Sequence, residues 1–157
     1  MKIRLTNGTS AAQSEILDLE RGLGRPLPDV LRAFVNEFDG ARPEPNTFKI
    51  CSTNDSGVND FIPVRRMLAE RANIAPCPAT MIPVAWAEGG NYVVLDAASG
   101  EIWFWDHEQR DSPTQLAADF ESFLGMLAPF DPSAVKLKPN QVKRAWIDPE
   151  FLRRLSQ

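Results

Sequence analysis

The most reactive string in the sequence is Asp106-His107-Glu108, a histidine between two carboxylates. Carboxylates favour a basic imidazole, and such a side chain can act as a general base. Consecutive residues of an extended strand, however, point to opposite faces, so they rarely converge on one substrate atom. The string therefore predicts a polar strand end. A small hydrolase that uses His107 with Asp106 or Glu108, or with a cysteine nucleophile, stays an alternative.

Sites for metals and phosphates have weak support in the sequence. Cys51 and Cys77 lie 26 positions apart, and the chain has one histidine. A tetrahedral zinc site needs three or four ligands, which carboxylates would have to complete. Gly89-Gly90-Asn91 joins two predicted strands and lacks the lysine of a phosphate-binding loop, which delivers its ligand to a helix. We therefore expect no metal and no other cofactor.

Charge is distributed unevenly along the chain. The net charge of −4 comes from 17 basic and 21 acidic residues. Residues 88–131, the acidic block, hold nine acidic residues and one base, Arg110. Trp103 and Trp105 share one face of a predicted strand there and could stack bases, but the block repels phosphate and attracts basic protein surfaces. This pattern predicts a protein partner and no nucleic acid.

The acidic block is followed by a basic tail. Six bases and two acids follow residue 131, and the tail could fold back on the acidic block and neutralise it. The bases of the tail are Lys136, Lys138, Lys143, Arg144, Arg153 and Arg154.

Size and composition are those of one ordinary soluble domain. The chain has 157 residues, of which 43% are hydrophobic and 24% charged. The first fifteen residues contain no apolar signal region, and no apolar run approaches the roughly 18 residues of a membrane span. We therefore expect a cytoplasmic protein that does not enter a membrane.

Hydrophobic periodicity predicts four helices and several strands. The helices are expected at about Ser10–Leu23, from Leu27 to Asp39, at Val64–Asn73 and at Ser112–Leu127. Strands rich in β-branched and aromatic residues are expected at Thr47–Cys51, Met81–Ala87, Asn91–Ala97 and Glu101–Asp106, the last three joined as antiparallel hairpins. This order predicts a single α+β domain with a mixed, mostly antiparallel sheet, flanking helices and a C-terminal helical appendage.

Four segments, in order, resemble the SUKH superfamily, which includes the fungal Smi/Knr cell-wall-assembly regulators and many bacterial immunity proteins. They span most of Glu15–Leu127 and are Glu15–Phe34, Asp39-Gly40-Ala41, Ile82–Asp96 and Gly100–Glu108 with the helix that follows. The family usually shows Asn-Gly-Gly at the second segment, so Asp39 and Ala41 depart from its pattern. The resemblance implies a SUKH-like domain at 10–128 and an extension at 129–157 packed on it.

The resemblance also implies a role without catalysis, since the family supplies no catalytic residues. Its bacterial members bind and neutralise toxins, often nucleases or deaminases. Our leading hypothesis is therefore an immunity protein with no catalytic, cofactor or metal residues, whose acidic, aromatic-bearing surface covers the basic cleft of a toxin. A regulatory or scaffolding module like the fungal relatives is the second hypothesis. The expected interface residues are Glu101, Trp103, Trp105, Asp106, His107, Glu108 and Asp111.

Overall fold

The computed structural model describes residues 3–52 and 54–131. The basic tail and the predicted helical appendage, from residue 132 onward, lie outside these residues. In chain order the strands and helices are β1 Arg4–Thr6, α1 Gln13–Leu23, α2 Asp29–Phe38, β2 Arg42–Glu44, β3 Thr47–Cys51, β4 Asn54–Phe61, α3 Val64–Glu70, β5 Met81–Ala87, β6 Tyr92–Asp96, β7 Ile102–Trp105, β8 Thr114–Ala117 and α4 Phe120–Met126.

A curled six-stranded sheet is the centre of the fold. Its strand order is β3-β4-β5-β6-β7-β8 with every pair antiparallel, and β1 and β2 form a separate antiparallel ribbon. The rings of Phe48 in β3 and Phe104 in β7 lie 6.0 Å apart. Four strand spacings of a flat sheet would separate them by about 19 Å. The sheet therefore curls, and the predicted α+β class is confirmed.

The concave face of the sheet holds a core of phenylalanines. Phe34 of α2 lies 4.7 Å from Phe61 of β4 and 5.0 Å from Phe120 of α4, ring centre to ring centre. Phe123 of α4 lies 5.5 Å from Phe48 and closes one end of the curl. These tilted and edge-to-face contacts are the favoured geometry of aromatic pairs.

The opposite, convex face is also covered. Trp86, Tyr92 and Trp105 are cross-strand partners in β5, β6 and β7, so their side chains share that face. Helix α3 packs there, and Glu70 near its end bonds the hydroxyl of Tyr92. Strands β6 and β7 are therefore central strands with buried apolar residues on both faces.

Helices α1 to α3 begin and end where the sequence indicates. Helix α1 ends at Gly24, which adopts φ +67°, a conformation that glycine enters without steric cost. Helices α2 and α3 each begin directly after a proline, Pro28 and Pro63, whose missing N–H would have no helical partner there. A 3₁₀ turn at Arg71–Ile74 continues α3, close to the predicted end.

The turn between α2 and β2 anchors the start of α3. Asp39 is 5% exposed, and its Oδ1 accepts a hydrogen bond of 2.8 Å from the backbone N–H of Val64. Burial raises the pKa of the Asp39 carboxyl, an effect that the Val64 bond opposes. Gly40 follows at φ +73°, with Pro63 against it. The turn that departs from the family's pattern thus holds a buried acid.

Two sequence predictions are corrected by the structure. The helix predicted at Ser112–Leu127 is strand β8 followed by the shorter helix α4, because residues 114–117 extend the sheet along β7 and Asp119 then caps α4 by accepting from the N–H of Ser122 at 2.6 Å. The stretch Asn54–Phe61, for which no strand was predicted, is strand β4, paired on both sides. Strands β1 and β2 were also not predicted.

Candidate functional site

The acidic loop, residues 106–113, joins β7 to β8 and carries four of the expected interface residues. Two turns shape its backbone, since the N–H of Gln109 donates to the carbonyl of Asp106 and the N–H of Ser112 to that of Gln109. Asp106 Oδ1 also accepts from the N–H of Glu108 at 2.8 Å. These local bonds fix the loop, which leaves the Glu108 and Asp111 side chains exposed to solvent.

An aromatic stack supports the loop from below. Trp105 is 4% exposed, and its ring lies 5.8 Å from that of Tyr92, edge to face. The guanidinium of Arg110 lies over the Trp105 ring, 5.7 Å from its centre, and its Nε donates to the carbonyl of His107. Trp105 therefore belongs to the core of the domain. Its contact with Arg110 supports the acidic loop from the core side.

The seven expected interface residues do not form one patch. Glu101 and Asp106 flank β7 at opposite ends, roughly 17 Å apart at 3.3 Å per residue. Glu101 accepts from Gln115 and Ser99, and Trp103 beside it is half-buried. Asp106, His107, Glu108 and Asp111 lie together in the acidic loop.

His107 has the surroundings of a structural side chain. Its Nδ1 lies 2.8 Å from Oδ1 of Asn91, an acceptor, which places the ring proton on Nδ1. The backbone N–H of His107 donates to the same oxygen, and the nearest carboxylate oxygen, on Asp106, is 3.9 Å away. In the described part of the chain His107 bonds neither cysteine. His107 thus ties the acidic loop to the β5–β6 turn.

A cleft opens at the end of the curled sheet that α4 does not close. It has a volume of about 200 Å³ and lies between β4, the β5–β6 turn and the start of the acidic loop. A second cavity, of about 210 Å³, shares four of its lining residues and lies beside it. The lining residues of the first are Ile50, Asn54, Asp55, Ser56, Glu88, Gly89, Asn91, Phe104 and Asp106.

The cleft is lined mainly by polar and acidic residues, with the apolar side chains of Ile50 and Phe104 among them. Asp55, Glu88 and Asp106 supply three carboxylates, and no lysine or arginine lines the cavity. Of the residues predicted from sequence, only Asp106 is in this set. Sequence reasoning missed the others because no strand was predicted at Asn54 and its neighbours, which reach the cleft only through the register of β4 on β3.

A buried carboxylate fixes α3 to the sheet beneath the acidic loop. Glu70 is 7% exposed; its Oε1 accepts from Arg66 at 2.5 Å, and its Oε2 accepts from Tyr92 at 2.8 Å, Asn73 at 3.1 Å and Trp86 at 3.3 Å. Burial opposes ionisation, but the bonds from Tyr92, Trp86 and Arg66 outweigh it and hold the pKa of Glu70 below its usual value. Every Glu70 oxygen is satisfied, which marks a structural anchor.

The described ranges, 3–52 and 54–131, contain neither a metal-binding cluster nor a membrane-spanning helix. No group of three or more His, Cys, Asp and Glu side chains there is arranged to hold a metal ion. No helix in these ranges is long and apolar enough to cross a membrane.

Comparison with known proteins identifies a matching family and a relative. The model of the SMI1 / KNR4 family (SUKH-1) matches residues 10–126, about three quarters of the chain. A SPbeta prophage-derived uncharacterized protein, YokK, of Bacillus subtilis (strain 168) is 38% identical over 50 residues. That alignment covers 30% of this chain and 26% of the relative, so the chain spans about a quarter of the length of the curated relative that it matches.

Proposed function

The chain belongs to the SMI1 / KNR4 family (SUKH-1), and from this membership we propose that it is a non-catalytic immunity protein, which binds a toxin and neutralises it in the cytoplasm. Family membership supports an interaction domain of immunity or regulatory type. The exposed carboxylates of the acidic loop are the observation that favours a basic partner, such as the nucleic-acid cleft of a nuclease or the substrate cleft of a deaminase.

The proposed mechanism is occlusion steered by charge. Glu108 and Asp111 are exposed and, in the described part of the chain, make no ion pair. They are free to meet lysines and arginines that otherwise contact phosphate. Attraction between such surfaces raises the association rate and weakens as salt screens it. The fixed backbone of the loop limits the conformational entropy lost on binding.

The proposal is tested by asking whether the chain protects cells from a toxin and whether it binds that toxin. Toxin genes that neighbour the gene of this chain are expressed with and without it, and cell survival and pull-down of the toxin domain are measured. Survival only in the presence of the chain, with a captured complex, is the expected result. If no neighbouring toxin is captured and no cell is protected, the immunity proposal is wrong, and the regulatory module becomes the better reading of the family match.

Charge reversal locates the interface. Glu108→Lys or Asp111→Lys is expected to slow association with the captured toxin by about tenfold at low salt. Glu37→Lys is the matched control, because Glu37 is an exposed carboxylate on α2 that makes no hydrogen bond in the described part of the chain. Equal effects at all three positions would show that total charge, rather than the acidic loop, drives binding.

The hydrolase alternative makes a different prediction. His107→Ala should abolish the activity of an enzyme that uses this imidazole. For a binding protein it removes only the imidazole bond to Asn91 and leaves the bond from the backbone N–H, which has a partial effect on affinity. Survival of cells that express His107→Ala with the toxin separates the two readings.

A further inference from the structure

We propose that an apolar groove between β3 and the end of α4 is the docking site for the first part of the basic tail, residues 132–138. The inference goes beyond the proposed function and does not depend on it. The groove has a volume of about 240 Å³ and is lined by no residue of the acidic loop. Its lining residues are Thr47, Phe48, Lys49, Asp55, Met126, Ala128, Pro129 and Asp131.

The place where the described chain ends is the first observation that identifies the occupant. After α4 the chain attaches to the outer edge of β3. The N–H of Ala128 donates to the carbonyl of Thr47 at 2.8 Å, and the N–H of Thr47 donates to the carbonyl of Ala128 at 3.1 Å. Ala128, Pro129 and Asp131 then form one wall of the groove. The tail, whose first residue is 132, therefore begins at the groove itself.

Contiguous apolar side chains make up this part of the surface. Met126 is half-buried, Ala128 and Pro129 are exposed, and Phe130, between two lining residues in the chain, is 56% exposed. Phe48 is 1% exposed and joins the groove to the phenylalanine core through its contact with α4. A segment that covers these side chains removes apolar area from water, which is favourable. The groove therefore suits an occupant with aliphatic side chains.

The first part of the tail has the sequence pattern of an extended segment with one apolar side. Val135 and Leu137 alternate with Lys136 and Lys138, so in an extended chain the two pairs point to opposite sides. Pro139 favours extended backbone at the residue before it. The two aliphatic side chains can therefore face the groove while the two lysines face solvent and the charged rim.

Reach and charge favour this segment over the rest of the tail. Leu137 follows Asp131 by six residues, which span at most about 20 Å, so it stays within reach of the groove. The apolar stretch Pro149–Leu155 would close a loop roughly three times longer, which costs more conformational entropy. In the lining, Asp55 and Asp131 outnumber Lys49, so the charge also favours a basic segment.

Methyl NMR of the full chain tests the contact directly. With ¹³C-labelled methyl groups in methionine, valine and leucine, we expect nuclear Overhauser effects between the ε-methyl of Met126 and the methyls of Val135 and Leu137. Three results would overturn the proposal. They are contacts of Met126 with Leu152 or Leu155 instead, contacts that disappear on dilution and so come from a second copy, and the absence of any contact between Met126 and the tail.

A peptide of residues 132–140 supplies a competition test. In the parent chain the attached tail competes with the peptide at a millimolar effective concentration. Val135→Ser with Leu137→Ser, the opened chain, should therefore bind the peptide about tenfold more tightly than the parent, as read from the amide shifts of residues 47–49 and 126–128. Val142→Ser is the matched control, an aliphatic tail residue outside the segment, and should bind the peptide as the parent does. Equal affinity for all three chains would contradict the proposal.

Variants of the groove test its side of the contact. Met126→Gln, added to the opened chain, should weaken peptide binding by at least about threefold, because a polar amide replaces the thioether in the groove. Val30→Ser, which changes an exposed apolar residue outside the groove, should have no effect. An unchanged affinity in Met126→Gln would place the peptide elsewhere and refute the proposal. Thermal unfolding checks the fold of each variant, and the methyl contacts, which need no substitution, decide the matter for any variant that does not fold.

Discussion

Replacing Glu70 tests the anchor beneath the acidic loop. In Glu70→Ala the buried hydroxyl of Tyr92 loses a bond to a charged acceptor, which costs about 1.5–3 kcal/mol. Trp86 is half-buried and its bond is long, 3.3 Å, so its loss adds about 0.5–1 kcal/mol. The Arg66 side chain is 54% exposed, and its ion pair contributes about 0.5 kcal/mol or less. The free energy of unfolding should fall by about 3 kcal/mol.

Glu70→Gln is the matched variant. An amide oxygen at the Oε2 position can still accept from Tyr92 and Trp86, while the charge is lost and Arg66 turns to solvent. We expect a loss of about 1 kcal/mol, the difference between a charged and a neutral acceptor. Urea unfolding followed by tryptophan fluorescence measures both variants against the parent chain.

The pH dependence follows from the lowered pKa of Glu70. A carboxyl whose pKa is lower in the folded chain stabilises the fold above its unfolded pKa, and this contribution disappears as the pH falls through the folded value. The loss in the free energy of unfolding that Glu70→Gln causes should therefore become smaller as the pH falls. A loss below about 1 kcal/mol in Glu70→Ala at pH 7, or equal losses in both variants, would refute this account of the anchor.

Two further changes test the packing. Because burial raises the pKa of Asp39, its contribution to stability falls as the pH rises above about 4. Asp39→Asn, which keeps an acceptor for Val64, should therefore raise the melting temperature at pH 7 and have little effect at pH 3. Gly8→Ala should cost about 1–3 kcal/mol in urea unfolding, because the new Cβ would lie 2.8 Å from the Cβ of Ala41 and 3.0 Å from the Phe38 backbone. Gly22→Ala, its control, meets only the movable Leu68 side chain and should cost less; equal losses would contradict the packing argument.

Much of the fold could be predicted because local signals agree with it. Strands β5, β6 and β7 are rich in β-branched and aromatic residues, and glycines mark the turns between them. Strand β4 was missed because it begins Asn-Asp-Ser-Gly, four residues that favour turns. The sheet overrides that preference by pairing the strand on both sides. The residues that break the local rule also line the cleft.

The candidate site was harder to predict than the fold. The charge pattern identified the acidic loop, but Asp55 and Ser56 reach the cleft through strand register and the curl of the sheet, and neither is visible in one sequence. The predicted interface also groups Glu101 with Asp106, although one short strand separates them. Exposure of Trp105 could not be decided either, because apolar residues on both faces of β7 predict cover without saying what provides it.

The strand order of the six-stranded sheet allows the acidic loop to vary without a change in the fold. Because every strand pairs with its sequence neighbours, the acidic loop is a hairpin connection whose replacement alters no other strand pair. Surface loops of this kind accept insertions and exchanges at a small entropic cost. Glu70, Tyr92 and Trp105 lie below the loop and stay in place when its tip changes. The surface proposed for recognition can therefore diversify in a few residues while the rest of the chain keeps its fold.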